Sequence, residues 1–123
     1  MPACPAAAPS PISAVLVHVS DVNAALTWYQ RAFPHAVRRY LKAFDFYLLD
    51  INGVHLELVP SDAKVTAGAA GSVVYWRAVD FDQSVAHFLA LGGRLYRGPL
   101  EIQDGLRMCQ ILDPWGNCIG LRG

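Results

Sequence analysis

The chain has 123 residues, 54% hydrophobic and 16% charged, and its ten basic and ten acidic side chains give a formal charge of zero. That length suits one domain, or two small halves sharing a core. The even balance leaves no basic stripe for nucleic acid and no electrostatic pull toward an anionic membrane. No apolar run approaches the roughly 18 residues of a spanning helix.

The opening "MPACPAAAPSP" lacks the basic start and long apolar core of a secretory signal, and its prolines read as a flexible arm over residues 1–11. Cys4, Cys109 and Cys118 are an odd set with no CxxC spacing, which suits reduced thiols and a cytoplasmic location. From residue 12 the chain reads as one domain. "AVLVHVSDVNAALTWYQRAF" is an apolar β-prone run ending at Asp21, then an amphipathic helix in which Val22, Ala25, Leu26, Tyr29 and Phe33 recur at helical spacing. Asp21 is a natural N-cap and Pro34 a stop. Strands follow, the last two of them in "LLDINGVHLELV", where Asp50 and Gly53 supply turn chemistry. "PSDAKVTAGAAG" is a polar, small-residue linker over residues 60–71; its glycines lack the lysine that would reach a phosphate.

The grammar then repeats. "VVYWRAVDFDQSVAHFLALGG" gives a second strand ending at Asp80 and a second helix carrying Phe81, Val85, Phe88 and Leu89, stopped by Gly92-Gly93. "ILDPWGNCIGLR" lies over the first hairpin without a gap, Asp113 on Asp50 and Gly116 on Gly53. The capping aspartates are 59 positions apart and the hairpin aspartates 63, so an insertion of four residues is expected in or near "RGPLEIQDG". The expected fold is α+β. Two tandem βαβββ modules, residues 12–60 and 72–123, form a curved, partly open β-sheet cavity with the helices outside. Free sheet faces of two such units make a concave small-molecule site.

Together, "VSDVNAALTWYQRAF" and the "DP-x-GN" hairpin in "GLRMCQILDPWGNCIGL" resemble the vicinal oxygen chelate superfamily: glyoxalase I, extradiol dioxygenases, fosfomycin-resistance enzymes and bleomycin-resistance binding proteins. The resemblance covers nearly everything from Ile12 to Leu121. It implies metal ligands on the first and last strands of each module, at Ala14, at Val73 or Val74, at Glu57 and at Gly120. Of these only Glu57 has a donor, and one carboxylate cannot hold an exchangeable divalent ion against water. His18 and His55 are the nearby substitutes, and "HLE" could make a two-ligand site. No cofactor is therefore expected, and the resemblance points to a metal-free branch.

Strand alternation puts Leu16 and His18 on the face of Ala14, and Tyr75 and Arg77 on the face of Val73. It places His55, Val59, Cys118 and Arg122 inward beside Glu57. His18, His55, Glu57, Tyr75, Arg77 and Trp115 are the candidate ligand-binding residues. His18 reads equally as a core histidine, and Tyr75 as core or as a stacking platform. A buried Arg77 needs a partner, and Glu57 is the obvious one, as a structural or a ligand-binding pair. Trp76, of opposite parity, should pack under the helices, and Trp28 and His87, equivalent in the repeat, read as packing or surface groups. Trp115, on a turn, reads as an interface residue of a homodimer.

The resemblance implies a small-molecule binding protein of the bleomycin-resistance kind that sequesters or carries an apolar or aromatic compound, which would place it in antibiotic resistance. The alternative is a glyoxalase-like lyase or isomerase, or a dioxygenase-related enzyme, with Glu57 as general base and Arg77 or His18 stabilising an enolate. No GxSxG, Walker, HExxH or GxGxxG signature points to other chemistry.

Overall fold

The computed structural model describes residues 11–123, so the arm expected over residues 1–11 lies almost wholly outside the described residues. The first half runs β1 (Ala14–Val19), α1 (Val22–Ala32), β2 (Val37–Leu41), β3 (Phe46–Ile51) and β4 (Val54–Pro60). The second repeats the order as β5 (Val74–Arg77), α2 (Phe81–Ala90), β6 (Arg94–Glu101), β7 (Arg107–Leu112) and β8 (Cys118–Arg122). Each half builds its own four-stranded sheet, ordered β1-β4-β3-β2 and β5-β8-β7-β6, with the first and last strands of each half parallel.

Both helices begin as the sequence dictates. The Asp21 carboxylate accepts the Ala24 N–H at 3.0 Å and Asp80 accepts that of Gln83 at 3.1 Å, each satisfying a first-turn donor. Pro34 cannot follow a helical Phe33, and α1 ends at Ala32. Gly92, at a φ of +90°, turns the chain away from α2. Of the apolar positions expected in α2, Phe81 and Phe88 are buried, whereas Leu89 stays exposed.

The two hairpins have equal length in sequence but close differently. In the first, Asn52 and Gly53 both adopt positive φ (49° and 91°), the two-residue turn that matches strand twist, and Asp50 stays within β3 opposite His55. In the second, residues 113–117 form the loop, with Leu112 opposite Cys118. Part of the extra length of the second half is absorbed by β6, whose register against β7 slips between Leu95 and Arg97 and again before Leu100.

One hydrophobic cluster holds residues of both halves, including Leu26, Tyr29, Leu56 and Leu58 from the first and Phe88, Ile111, Ile119 and Leu121 from the second. Each fully buried Leu or Ile contributes about 1.5–3 kcal/mol. Aromatic rings fill the seam: Phe33 meets Trp76 edge-on at 5.0 Å and Phe88 at 5.6 Å. The helices also clasp each other reciprocally. Trp28 Nε1 donates to the Leu91 carbonyl at the end of α2, 2.8 Å away, and His87 Nε2 bonds the Arg31 carbonyl near the end of α1, also at 2.8 Å. Trp28 and His87 are repeat equivalents, so the packing carries a local two-fold likeness.

Candidate functional site

With Leu56, Leu58, Ile119 and Leu121 turned toward the helices, alternation assigns the intervening side chains to the far face of each sheet. The parallel register then fixes neighbours. Glu57 lies beside Leu16 and Gly120 beside Tyr75, while Ala14 lies beside His55. The residue paired with the last-strand position is therefore Leu16 or Tyr75, two positions beyond Ala14 and Val73.

Gly120 is where the second module lacks a carboxylate, and Tyr75 occupies the space. A Cβ built on Gly120 would lie 2.5 Å from Tyr75 Cδ1 and 2.8 Å from Cε1, so the ring lies flat over the glycine. Gln110 Nε2 donates to the Tyr75 hydroxyl at 2.7 Å, and the Arg122 guanidinium sits 5.0 Å above the ring centroid. Tyr75 is a platform held from three sides. In the first module the same face carries Glu57 and His55, with Arg39 Nε 2.9 Å from Asp50 Oδ2 and His55 Nε2 3.9 Å from the same oxygen. The Gly53 N–H and then Arg39 hold the Asp50 carboxyl below its usual range. Gln110, Arg122, Arg39 and Asp50 were not singled out as site residues. Strand parity marks Arg122, but the others need the β2–β3, β3–β4 and β7–β8 registers.

The expected Arg77–Glu57 pair does not form. Among the described residues the ion pairs of Arg or Lys are Arg39–Asp50 and Arg107–Asp82. Glu57 and Arg77 belong to different sheets, and Arg77, exposed at the end of β5, lies beside Arg122. The structure also separates the other candidates. His18 lines a cavity of about 260 Å³ between β1, β8 and the linker, together with Leu16, Tyr29, Ser72, Val74 and Cys118. Burial, then the Asp113 charge, pushes the Cys118 thiol up, so it is not a poised nucleophile. Arg77 lines a groove of about 800 Å³ on the helix side.

Trp115 lies apart from these cavities' linings. It is half-buried against the chain's own core, edge-on to Trp28 at 6.4 Å, because the loop folds inward over α1. What pulls it in is Asp113, 1% exposed. Its Oδ1 accepts the N–H groups of Trp115 and Asn117, each at 2.8 Å, and its Oδ2 accepts the Tyr29 hydroxyl at 2.6 Å. Asn117 Nδ2 donates to the His18 carbonyl at 3.0 Å and its Oδ1 accepts from Gly68 N at 2.9 Å. The second hairpin thus pins the helix, first strand and linker of the other module. Burial, then the Asp113 charge, holds the Tyr29 phenol well above its usual range.

A divalent ion does not fit the positions that the resemblance assigns to it. Ala14, Val73, Val74 and Gly120 carry no donor, and the Tyr75 ring fills the volume over Gly120. Among the described residues no three His, Cys, Asp or Glu side chains converge. No described helix is long and apolar enough to cross a membrane.

Comparison with known proteins bears on the fold. The chain matches no protein-family model and no curated protein. Solved structures do match. A glyoxalase/bleomycin resistance protein/dioxygenase family enzyme from Burkholderia phytofirmans aligns at a TM-score of 0.71 and 19% identity, over 89% of this chain and 95% of that one. A member of the same superfamily from Sphaerobacter thermophilus aligns at 0.73 and 17%, over 92% and 96%. A glyoxalase/bleomycin resistance protein from Albidiferax ferrireducens aligns at 0.70 and 22%, over 92% and 98%. The α+β tandem-module architecture is that of these structures, as the repeat implied.

Proposed function

We propose that this chain is a metal-independent small-molecule binding protein of the bleomycin-resistance kind, taking an apolar or aromatic compound on the sheet faces turned away from the helices. The observation that carries the reading is the Tyr75 ring lying on Gly120 where a carboxylate ligand is absent. That exchange replaces a charged donor with an aromatic ring under the Arg122 guanidinium, and a flat ligand packs against the two together. Glu57, His55 and Gln110 supply polar contacts on the same faces.

Catalysis by Glu57 has less support. Arg77 and His18, the groups expected to stabilise an enolate, line two different cavities. No arginine among the described residues pairs with Glu57, so the partner that this alternative calls for is not beside it.

A homodimer completes the proposal. By register Leu16, Val37, Leu41 and Leu100 stand on the far faces, 54%, 55%, 39% and 51% exposed. A second copy that laid its Tyr75–Arg122 face over the Glu57 face would cover them and match charges. Reduced thiols fit a cytoplasmic site for this sequestration.

The test is a thermal-shift screen of flat aromatic antibiotics and metabolites, with chelator present. A saturable rise in Tm that survives chelator and is lost in Tyr75→Ala supports the reading. A rise only with added metal, or one indifferent to Tyr75→Ala, overturns it.

A further inference from the structure

The charges of this chain balance overall, yet they are spread unevenly over its sheet faces. Although Arg77 borders the helix-side groove, alternation in β5 puts its side chain with Tyr75, opposite Trp76, which packs on the core. The β5–β8 register then makes Arg77 the direct neighbour of Arg122. Farther across the same face, Arg97 of β6 stands opposite Gln110 and Arg94 opposite Leu112, on the side away from the buried Cys109 and Ile111. All four arginines are exposed, and none is in an ion pair among the described residues.

The acids of the second half lie elsewhere. Asp80 and Asp82 belong to the start of α2, Asp113 is buried, and Asp104 sits in the β6–β7 connection. Glu101 is paired with Arg107, whose guanidinium turns to Asp82 on the helix side. The far face of the second sheet therefore carries four guanidinium groups and no strand carboxylate. Like charges side by side on neighbouring strands repel, so a face that sets Arg77 against Arg122 gains from an anion between them. The first sheet supplies too little negative charge. On its far face Arg39 already holds Asp50, which leaves Glu57. A second copy laid across would offset one of the four charges, and the joined faces would stay positive.

The groups also fix the chemistry of the missing counter-charge. A guanidinium presents a fork of donors that matches phosphate oxygens, and two neighbouring forks suit a doubly charged group. Beside them the Tyr75 ring is fixed by Gln110 at 2.7 Å from its hydroxyl and by Arg122 at 5.0 Å from its centroid. An aromatic body and a phosphate thus find adjoining supports on one face.

We propose that the ligand of the sheet faces is an aromatic phosphate. Its ring packs against Tyr75 and Arg122, its phosphate lies between Arg77 and Arg122, and Arg94 and Arg97 deepen the positive potential around it. The assignment rests on the sheet-face binding proposed above and adds the charge of what is bound.

The test is calorimetry on the full chain with 1-naphthyl phosphate and its neutral parent 1-naphthol, chelator present. The phosphate is expected to bind about tenfold more tightly, the factor that one charge-assisted contact supplies, and to lose that advantage as salt rises. Arg77→Gln should bring it down to naphthol's affinity and leave naphthol unchanged. Arg97→Gln should weaken the phosphate alone, and by less. Both side chains are exposed, so neither change threatens the fold. Tyr75→Ala should weaken both probes. Equal affinity for the two, lost in Tyr75→Ala, would overturn the phosphate and leave the sheet-face site standing. Saturable binding of neither, or binding indifferent to Tyr75→Ala, would overturn both. A phosphate preference untouched by Arg77→Gln would also overturn the proposal.

Discussion

The two modules share an order of elements, a parallel first-to-last strand pair and aspartate-capped helices, yet they have been put to different uses. The first keeps a carboxylate, Glu57, on an open face and closes its last hairpin with a solvent-facing Asn52-Gly53 turn. The second has Gly120 under Tyr75 at the equivalent position, and turns its hairpin into a buried staple through Asp113 and Asn117. In a duplicated fold the same position can stay at the surface in one copy and serve cohesion in the other. Burial decides which: Asp50 and Asp113 occupy equivalent places, but only Asp113 is shut away from water.

The strongest way to break this comparison is to remove each aspartate in turn. Asp113→Ala strands the buried Tyr29 hydroxyl and two loop N–H groups, and should cost on the order of 3 kcal/mol in denaturant unfolding. Asp50→Ala should lower Tm only slightly, since water replaces its partners. Equal losses would mean that the two hairpins are alike after all. Next, Gly120→Glu restores the missing acid but drives a side chain into the Tyr75 ring. A loss of about 2 kcal/mol is expected, largely recovered by adding Tyr75→Ala. Failure of the second change to rescue would show that Tyr75 is not what excludes the carboxylate.

The reciprocal clasp between helices allows a finer comparison. Trp28→Phe keeps the ring but loses the bond to the Leu91 carbonyl, and should cost about 1 kcal/mol. The mirror change His87→Phe removes an exposed bond and should cost less.

The smallest effects lie in the pH profile. Burial and the Asp113 charge favour the protonated Tyr29 phenol, so its folded value lies above its unfolded one. Its contribution is complete below about pH 10 and is lost as pH climbs beyond that, and Tyr29→Phe should flatten this alkaline limb. Asp50 runs the other way. Its lowered carboxyl favours the folded state above the usual carboxylate range, and the benefit fades as pH falls through the folded value, with only a shallow acid limb lost in Asp50→Ala.

Much of this was legible in the residues. The repeat, both N-caps, the Pro34 and Gly92 stops and the place of the insertion are local signals, and local chemistry decides them. Trp76 under the helices followed from parity alone. What parity cannot supply is how one sheet sits against another. It put Arg77 and Glu57 on inward faces, but those faces belong to separate sheets and the pair never meets. The half-burial of Trp115 was hidden for a related reason. A turn aromatic reads as exposed until the buried Asp113–Tyr29 bond, spanning 84 positions, folds its loop inward. The gapless alignment of the hairpins also hid their different closures, because loop geometry rather than residue count sets the register.

Metal affinity bears most directly on the central claim, that an aromatic surface has replaced the ion site. Titration of chelator-stripped protein with zinc, nickel, iron(II) and manganese by calorimetry should give no stoichiometric binding in the micromolar range. One equivalent bound that tightly, and lost in Glu57→Gln, would contradict the account.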